Sequence, residues 1–162
     1  MIEALAEKRP DFWAGYDERE VLTFDLAGET FAFEASMVQE ILDLLPETLV
    51  PGARAFVGSV INFRGKVIPL ADIRLAFGME ATPQTIDSRI IVVEIEIEDE
   101  PTLFGIRTDK VHEVTTLHRS ASEPPPSIGM RWRVDFMDCL VKRGSEFIIV
   151  PNLHAIFSST SS

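Results

Sequence analysis

A chain of 162 residues is one domain by length, or two small lobes sharing a core. Lys and Arg number 15 against 26 Asp and Glu, a net charge of −11, which argues against a nucleic-acid partner and against docking on anionic lipid. The lone cysteine, Cys139, excludes an internal disulfide, a CxxC redox pair and a thiolate zinc cluster.

No apolar run reaches the ~20 residues of a membrane span, and the first ten residues lack the basic start and apolar stretch of a signal peptide, so the expected location is cytoplasmic. Residues 1–20 read as an N-terminal extension. Ile2, Leu5 and Ala6 fit one face of a short helix ending before Pro10. Phe12, Trp13 and Tyr16 fit either packing onto the body or a partner-docking tail, and the sequence leaves both open.

From Val21 the apolar period becomes two. Residues 21–34 predict a β-hairpin with one buried face, turning at Ala27-Gly28-Glu29. Ser36 suits a helix N-cap, and Val38, Ile41 and Leu42 predict a short helix over about 37–42. Residues 57–61 and 66–70 predict a second hairpin around Asn62-Phe63-Arg64-Gly65, where Gly65 can take positive φ. A short helix over 71–77 follows, capped by Asp72 and ended by Gly78.

Residues 79–88 are polar, contain Pro83, and read as a loop between two halves. A long strand over 90–98 runs from continuously apolar to alternating, then turns at 99–101, with further strands over 103–108 and 111–117. Residues 118–131, with prolines at 124–126, read as a long irregular loop. A hairpin over 136–150 turns at Arg143-Gly144-Ser145; a short helix over 152–157 and a disordered tail over 158–162 complete the chain. Both halves end alike, with Val67-Ile68-Pro69-Leu70 leading to Asp72 and a helix, and Ile148-Ile149-Val150-Pro151 leading to Asn152 and a helix. Many short, evenly spaced strands indicate a mainly β barrel or sandwich.

Enzyme templates do not match. The phosphate loops GxGxxG and GxxxxGK[ST] and the nucleophile elbow GxSxG are missing, and His112, His118 and His154 lack zinc-ligand spacing. Cys139 reads as core packing, and Glu94, Glu96 and Glu98 as the solvated face of a strand. The expectation is no catalytic residue, no cofactor and no metal.

One series is more specific. It runs Phe24-x-Leu26-x-Gly28-x-x-Phe31, Val38-x-Glu40-Ile41, Val50-Pro51, Phe56-Val57, Asn62-Phe63-Arg64-Gly65, Val67-Ile68-Pro69-Leu70 and Asp72-x-Arg74, followed by Phe104-Gly105-Ile106-x-x-Asp109-x-Val111. It resembles the CheW-type chemotaxis coupling proteins over about residues 21–157. The resemblance implies two SH3-like five-stranded β-barrel lobes with short helices, lobe 1 over about 21–80 and lobe 2 over about 88–157. It implies a non-catalytic adaptor joining the tip helices of chemoreceptors to the regulatory domain of a CheA-type histidine autokinase. Such a protein is recruited to membrane-attached receptor arrays without inserting into the membrane, and self-associates weakly there.

Carried over residue by residue, Arg64 matches the family arginine of the receptor groove and Glu40 the acid beside it. Val38 offers an apolar contact, and Ser59, Gly105, Asp109 and Val111 complete the implied groove. An arginine on a tight turn, held by a carboxylate, is a sensible recognition group. The chain departs from the family pattern at Arg54, Ser59, Lys110 and Asn152. These departures leave open an adaptor of a related pathway controlling type IV pili, gliding or another kinase. A nucleic-acid-binding barrel is the remaining alternative, disfavoured by the charge.

Overall fold

The computed structural model describes residues 11–52, 57–125 and 134–158. The strands are β1 (Glu18–Leu26), β2 (Glu29–Glu34), β3 (Val38–Leu42), β4 (Thr48–Leu49), β5 (Ser59–Phe63), β6 (Lys66–Ala71), β7 (Arg89–Ile97), β8 (Glu100–Thr108), β9 (Lys110–His118), β10 (Ser122–Glu123), β11 (Met137–Arg143) and β12 (Glu146–Pro151). Two short helices follow the hairpins, α1 (Ile73–Phe77) and α2 (Leu153–Ser158).

These strands form two six-stranded sheets, one in the order β10-β11-β12-β2-β1-β9 and the other in the order β3-β7-β8-β6-β5-β4. Each has the five strands expected of an SH3-like lobe plus a two-residue edge strand, β10 or β4. Read from the β4 end, the second sheet matches the first position by position. The match has a consequence for the chain. Residues 18–77 and 89–158 run through the same series: hairpin, strand, short strand, hairpin, helix. Each sheet takes its first hairpin from one half and its other four strands from the other half. The sheets therefore do not follow the division into 21–80 and 88–157. The chain crosses between them through a 3₁₀ turn at Ala35–Met37 and through a single residue, Asp109.

Side-chain alternation explains why both sheets are needed. On β1, Leu22, Phe24 and Leu26 face a core shared by the two sheets, while Val21 faces a separate core inside the first lobe. On β7, Ile91, Val93 and Ile95 enter the shared core, while Ile90 and Val92 fill the second lobe. The 21–34 hairpin thus buries both faces, not the one its pattern suggested. Phe24, Phe31 and Phe33 sit fully buried in the shared layer with Phe77 of α1, and each such side chain contributes about 1.5–3 kcal/mol of apolar burial.

Local departures have local causes. The helix expected over 37–42 is instead the 3₁₀ turn followed by β3, which pairs with the edge of β7. β-branched Val38 and Ile41 suit a strand, and the free edge of β7 supplies a ladder that outweighs a helical spacing of three residues. Ser36 donates to Glu34 instead of capping a helix. The turn placed at 99–101 is Glu98-Asp99, and Pro101 lies within β8. Asp72 does cap α1, accepting from the Arg74 backbone N–H, and Gly78 ends it at φ 83°. Asn152 caps α2 in the same way, its Oδ1 accepting from Ala155 N at 3.0 Å, so this departure preserves the cap. Ser158 closes α2 and is not tail. The proposed helix before Pro10, the positions Arg54 and Phe56, the end of the proline loop and the last four residues lie outside the described residues.

The extension packs onto the first lobe. Trp13 is buried, closes that lobe's core beside Cys139, and donates from Nε1 to Ser122 Oγ at 3.1 Å. Phe12 is half-buried and packs edge-on against Trp13, whereas Tyr16 stays exposed. Arg19 holds the strap by donating to the carbonyls of Phe12 and Trp13 and by pairing with Glu34. Trp13→Ala is expected to lower unfolding stability by about 3 kcal/mol in urea titrations. Burial pushes the Cys139 thiol from its ordinary 9.0 up to about 11, outweighing the hydrogen bond to Ser122. A raised folded-state value means that this contribution is whole below pH 9 and is lost as pH rises through 11. Cys139→Ala should therefore flatten the alkaline fall in stability over that range, read from urea midpoints at a series of pH values.

Candidate functional site

Arg64 sits on the two-residue β5–β6 turn, where Phe63 opposes Lys66. Arg64 and Gly65 both have positive φ, 53° and 81°, the hairpin geometry whose twist matches its strands. Asn62 Oδ1 accepts from Gly65 N at 3.1 Å and closes the loop. Ala27-Gly28 and Glu98-Asp99 adopt the same geometry, so it marks a hairpin type and not a role.

The arginine's environment is more specific. Its guanidinium pairs with Glu40 Oε1 and lies 5.0 Å from the Phe63 ring centroid, yet the side chain is 72% exposed. Glu40 lies on β3, at one edge of the sheet. In a flat sheet β3 would lie about 14 Å from β6, with β7 and β8 between them. The ion pair forms because the sheet curls around Ile61, Phe63, Ile90 and Val92, with Leu42 of β3 packed on them. Val38, two residues before Glu40, is half-buried against the shared core, and a bulge separates the two in the register with β7. Glu40 and Arg64 thus form a held, outward-facing pair, while the bulge turns Val38 with Val93 toward the shared core on the opposite face.

The other expected groove residues have different surroundings. Ser59 starts β5, roughly 16 Å along the chain direction from Arg64, and is buried. Its hydroxyl donates to Glu47 Oε1 at 2.8 Å, and Glu47 also pairs with Arg107. Gly105 is buried inside the second lobe, where a Cβ would meet Ile61 Cδ1 and Ile90 Cγ2 at 3.1 Å each. Val111 opposes Phe24 on β9 and packs half-buried on the shared core. Lys110 starts β9 and is exposed.

Asp109 belongs to a buried network that the sequence reading did not single out. Arg74, almost fully buried, forks onto both carboxylate oxygens of Asp72, through Nε at 2.7 Å and Nη2 at 2.6 Å. Its Nη1 donates to Thr82 O and to Asp109 Oδ1, both at 3.2 Å. The Asp72 hydrogen bonds hold the guanidinium above its ordinary range against the opposing effect of burial. The available sequence signal was an arginine two residues after a helix cap, a geometry suited to a fork on that cap.

Among the described residues, two cavities are prominent. One, of about 840 Å³, lies between the sheets and is lined by Phe33, Glu34, Glu94, Ile95 and Leu153. The other, of about 700 Å³, is polar and includes Asp25, His112, Glu113 and Arg143. Neither is lined by any of the expected groove residues.

The fold defines a two-lobed, mainly β protein. The family model described as the CheW-like domain matches residues 20–161, and the chain belongs to that family. Its curated relatives include the probable chemotaxis protein CheW of Rhizobium etli, 28% identical over 145 residues covering 90% of this chain and 91% of that one. The chemotaxis protein CheW of Rhizobium meliloti is 28% identical over 141 residues, 87% of this chain and 88% of that one. The crystal structure of the scaffolding protein TtCheW from Thermoanaerobacter tengcongensis superposes with a TM-score of 0.75 at 32% identity, covering 86% of this chain and 92% of that one. The function class is therefore a chemotaxis coupling scaffold.

The Gly105 environment makes a prediction. Gly105→Val forces Ile61, Ile90 and Leu70 apart and should cost about 1–3 kcal/mol of stability, and Gly105→Ala should cost less, as measured by urea unfolding.

Proposed function

We infer that this chain is a non-catalytic adaptor that binds the tip helices of chemoreceptors on one surface and the regulatory domain of a CheA-type histidine autokinase on another. Its output is binding energy and geometry, by which a receptor shift biases the kinase between conformations. Recruitment to membrane-attached receptor arrays follows from those two contacts. The supporting observation is the Arg64 guanidinium, exposed on a tight turn and held by Glu40. A helix in a groove needs a fixed polar group to set its register, and the Arg64–Glu40 pair offers one. Arg64, Glu40 and Val38 are the proposed receptor contacts, with Val111 at the margin. Ser59, Gly105 and Asp109 support the lobes behind them.

Calorimetric titration against a receptor-tip fragment and against the kinase regulatory domain tests this directly. Micromolar binding to both is expected, and binding to neither overturns the adaptor reading. Glu40→Lys sets two cations against each other and should weaken receptor binding about tenfold or more. Arg64→Ala should weaken it similarly. Exposed ion pairs contribute at most about 1 kcal/mol to folding, so neither change should shift the melting temperature by more than a few degrees. Unaltered receptor affinity in both variants would remove this surface from the contact.

A further inference from the structure

The chain passes from the second sheet to the first through one residue, Asp109, between Thr108 of β8 and Lys110 of β9. The Asp109 backbone N–H and one carboxylate oxygen reach the first sheet, and its other carboxylate oxygen holds groups beside the second. Its backbone N–H donates to Asp25 O at 3.0 Å, and its Oδ2 accepts from Ala27 N at 2.8 Å, both on the β1–β2 hairpin of the first sheet. Its Oδ1 accepts from Arg74 Nη1 on α1, which follows the second sheet, at 3.2 Å, and from Thr82 Oγ1 at 2.8 Å. Arg74 also donates to the Thr82 carbonyl and hydroxyl, so the 79–88 segment is drawn into the same contact. The apolar core between the sheets gives cohesion in proportion to its area, and its packing fixes the angle only as closely as side-chain shape allows. Charge-assisted hydrogen bonds select it more narrowly, and a fork onto Asp72 leaves Arg74 little freedom to follow a sliding lobe.

We propose that the Asp109–Arg74–Thr82 cluster is a polar joint that sets the angle between the two lobes, and that this angle carries receptor binding at one lobe to the kinase contact. Arg74, Thr82 and Asp109 are then positioning residues and touch neither partner. The coupling half of the proposal rests on the adaptor reading; the geometric half does not.

Residual dipolar couplings, measured on the two sheets of the full chain, report their relative orientation and its fluctuation. Thr82→Val removes the hydroxyl bridge without leaving a charge unpaired, and Asp109→Asn removes the carboxylate that Arg74 faces. In the wild type one alignment tensor should fit both sheets. In Thr82→Val the sheets should require different tensors, with affinities for the receptor tip and the kinase domain measured separately unchanged. Receptor control of kinase activity in the reconstituted assembly should nevertheless fall about fivefold or more. Asp109→Asn should show the larger change in orientation, and if it does not fold, Thr82→Val carries the test alone. A single tensor in the folded variants overturns the joint. Altered orientation with full kinase control overturns its role in coupling. Failure of the wild type to bind either partner sinks the adaptor reading and with it the coupling half, while the tensors still decide the geometry.

Discussion

The structure depends on strands that must bury both of their faces. β1, β2, β7 and β8 alternate between the core of their own lobe and the layer shared by both sheets. A strand of this kind cannot sit at the surface of a single sheet, since one apolar row would face water. The lobes are therefore obliged to assemble against each other, and α1 and α2 pack into the same shared layer from its margins. Phe77 of α1 meets both Phe31 and Phe136, while Phe157 of α2 stacks on Phe104, so each helix seals the layer with an aromatic ring.

Exchange of hairpins between the halves strengthens this obligation. Because β1 and β2 pair with β9 and β12, and β7 and β8 with β3 and β6, neither half of the chain contains a complete sheet. Cooperativity between lobes then follows from connectivity as well as from contact area. The crossings are short, a 3₁₀ turn and the single residue Asp109, and the buried Arg74 fork stands at the second. A buried arginine is costly unless its donors are met, and here two carboxylates and Thr82 meet them.

The recognition surface is built on these rigid parts. Arg64 owes its position to a two-residue turn, and Glu40 to an edge strand that a curled sheet brings across two neighbours. A long cationic side chain normally loses much rotamer freedom on binding; the contacts with Glu40 and Phe63 remove part of that loss beforehand. The same pair adds little to folding, which separates binding from stability at this surface.

Local features were legible in the residues alone. The period-two runs, the Gly65 and Gly78 positions, the Asp72 cap and the similar endings of the halves all depend on neighbours within a few residues, and the structure reproduces them. The family series likewise marked Arg64 and Glu40, which the structure brings into contact. Other features had no local signal. Val38, Ile41 and Leu42 fit a helix until the β7 edge claimed them, and nothing near Gly105 in sequence showed the three side chains that crowd it. Arg74 and Asp109 are 35 residues apart and meet because β6 and β8 pair in parallel, which carries both residues to the same end of the second sheet. By itself the sequence determined most of the strands, turns and caps, the 37–42 segment and the 98–99 turn excepted, because backbone propensity and side-chain period act locally. Tertiary structure alone decided which hairpin joined which sheet, which strands buried both faces and which charges met, because those depend on contacts between distant residues that alternate equally well in many pairings.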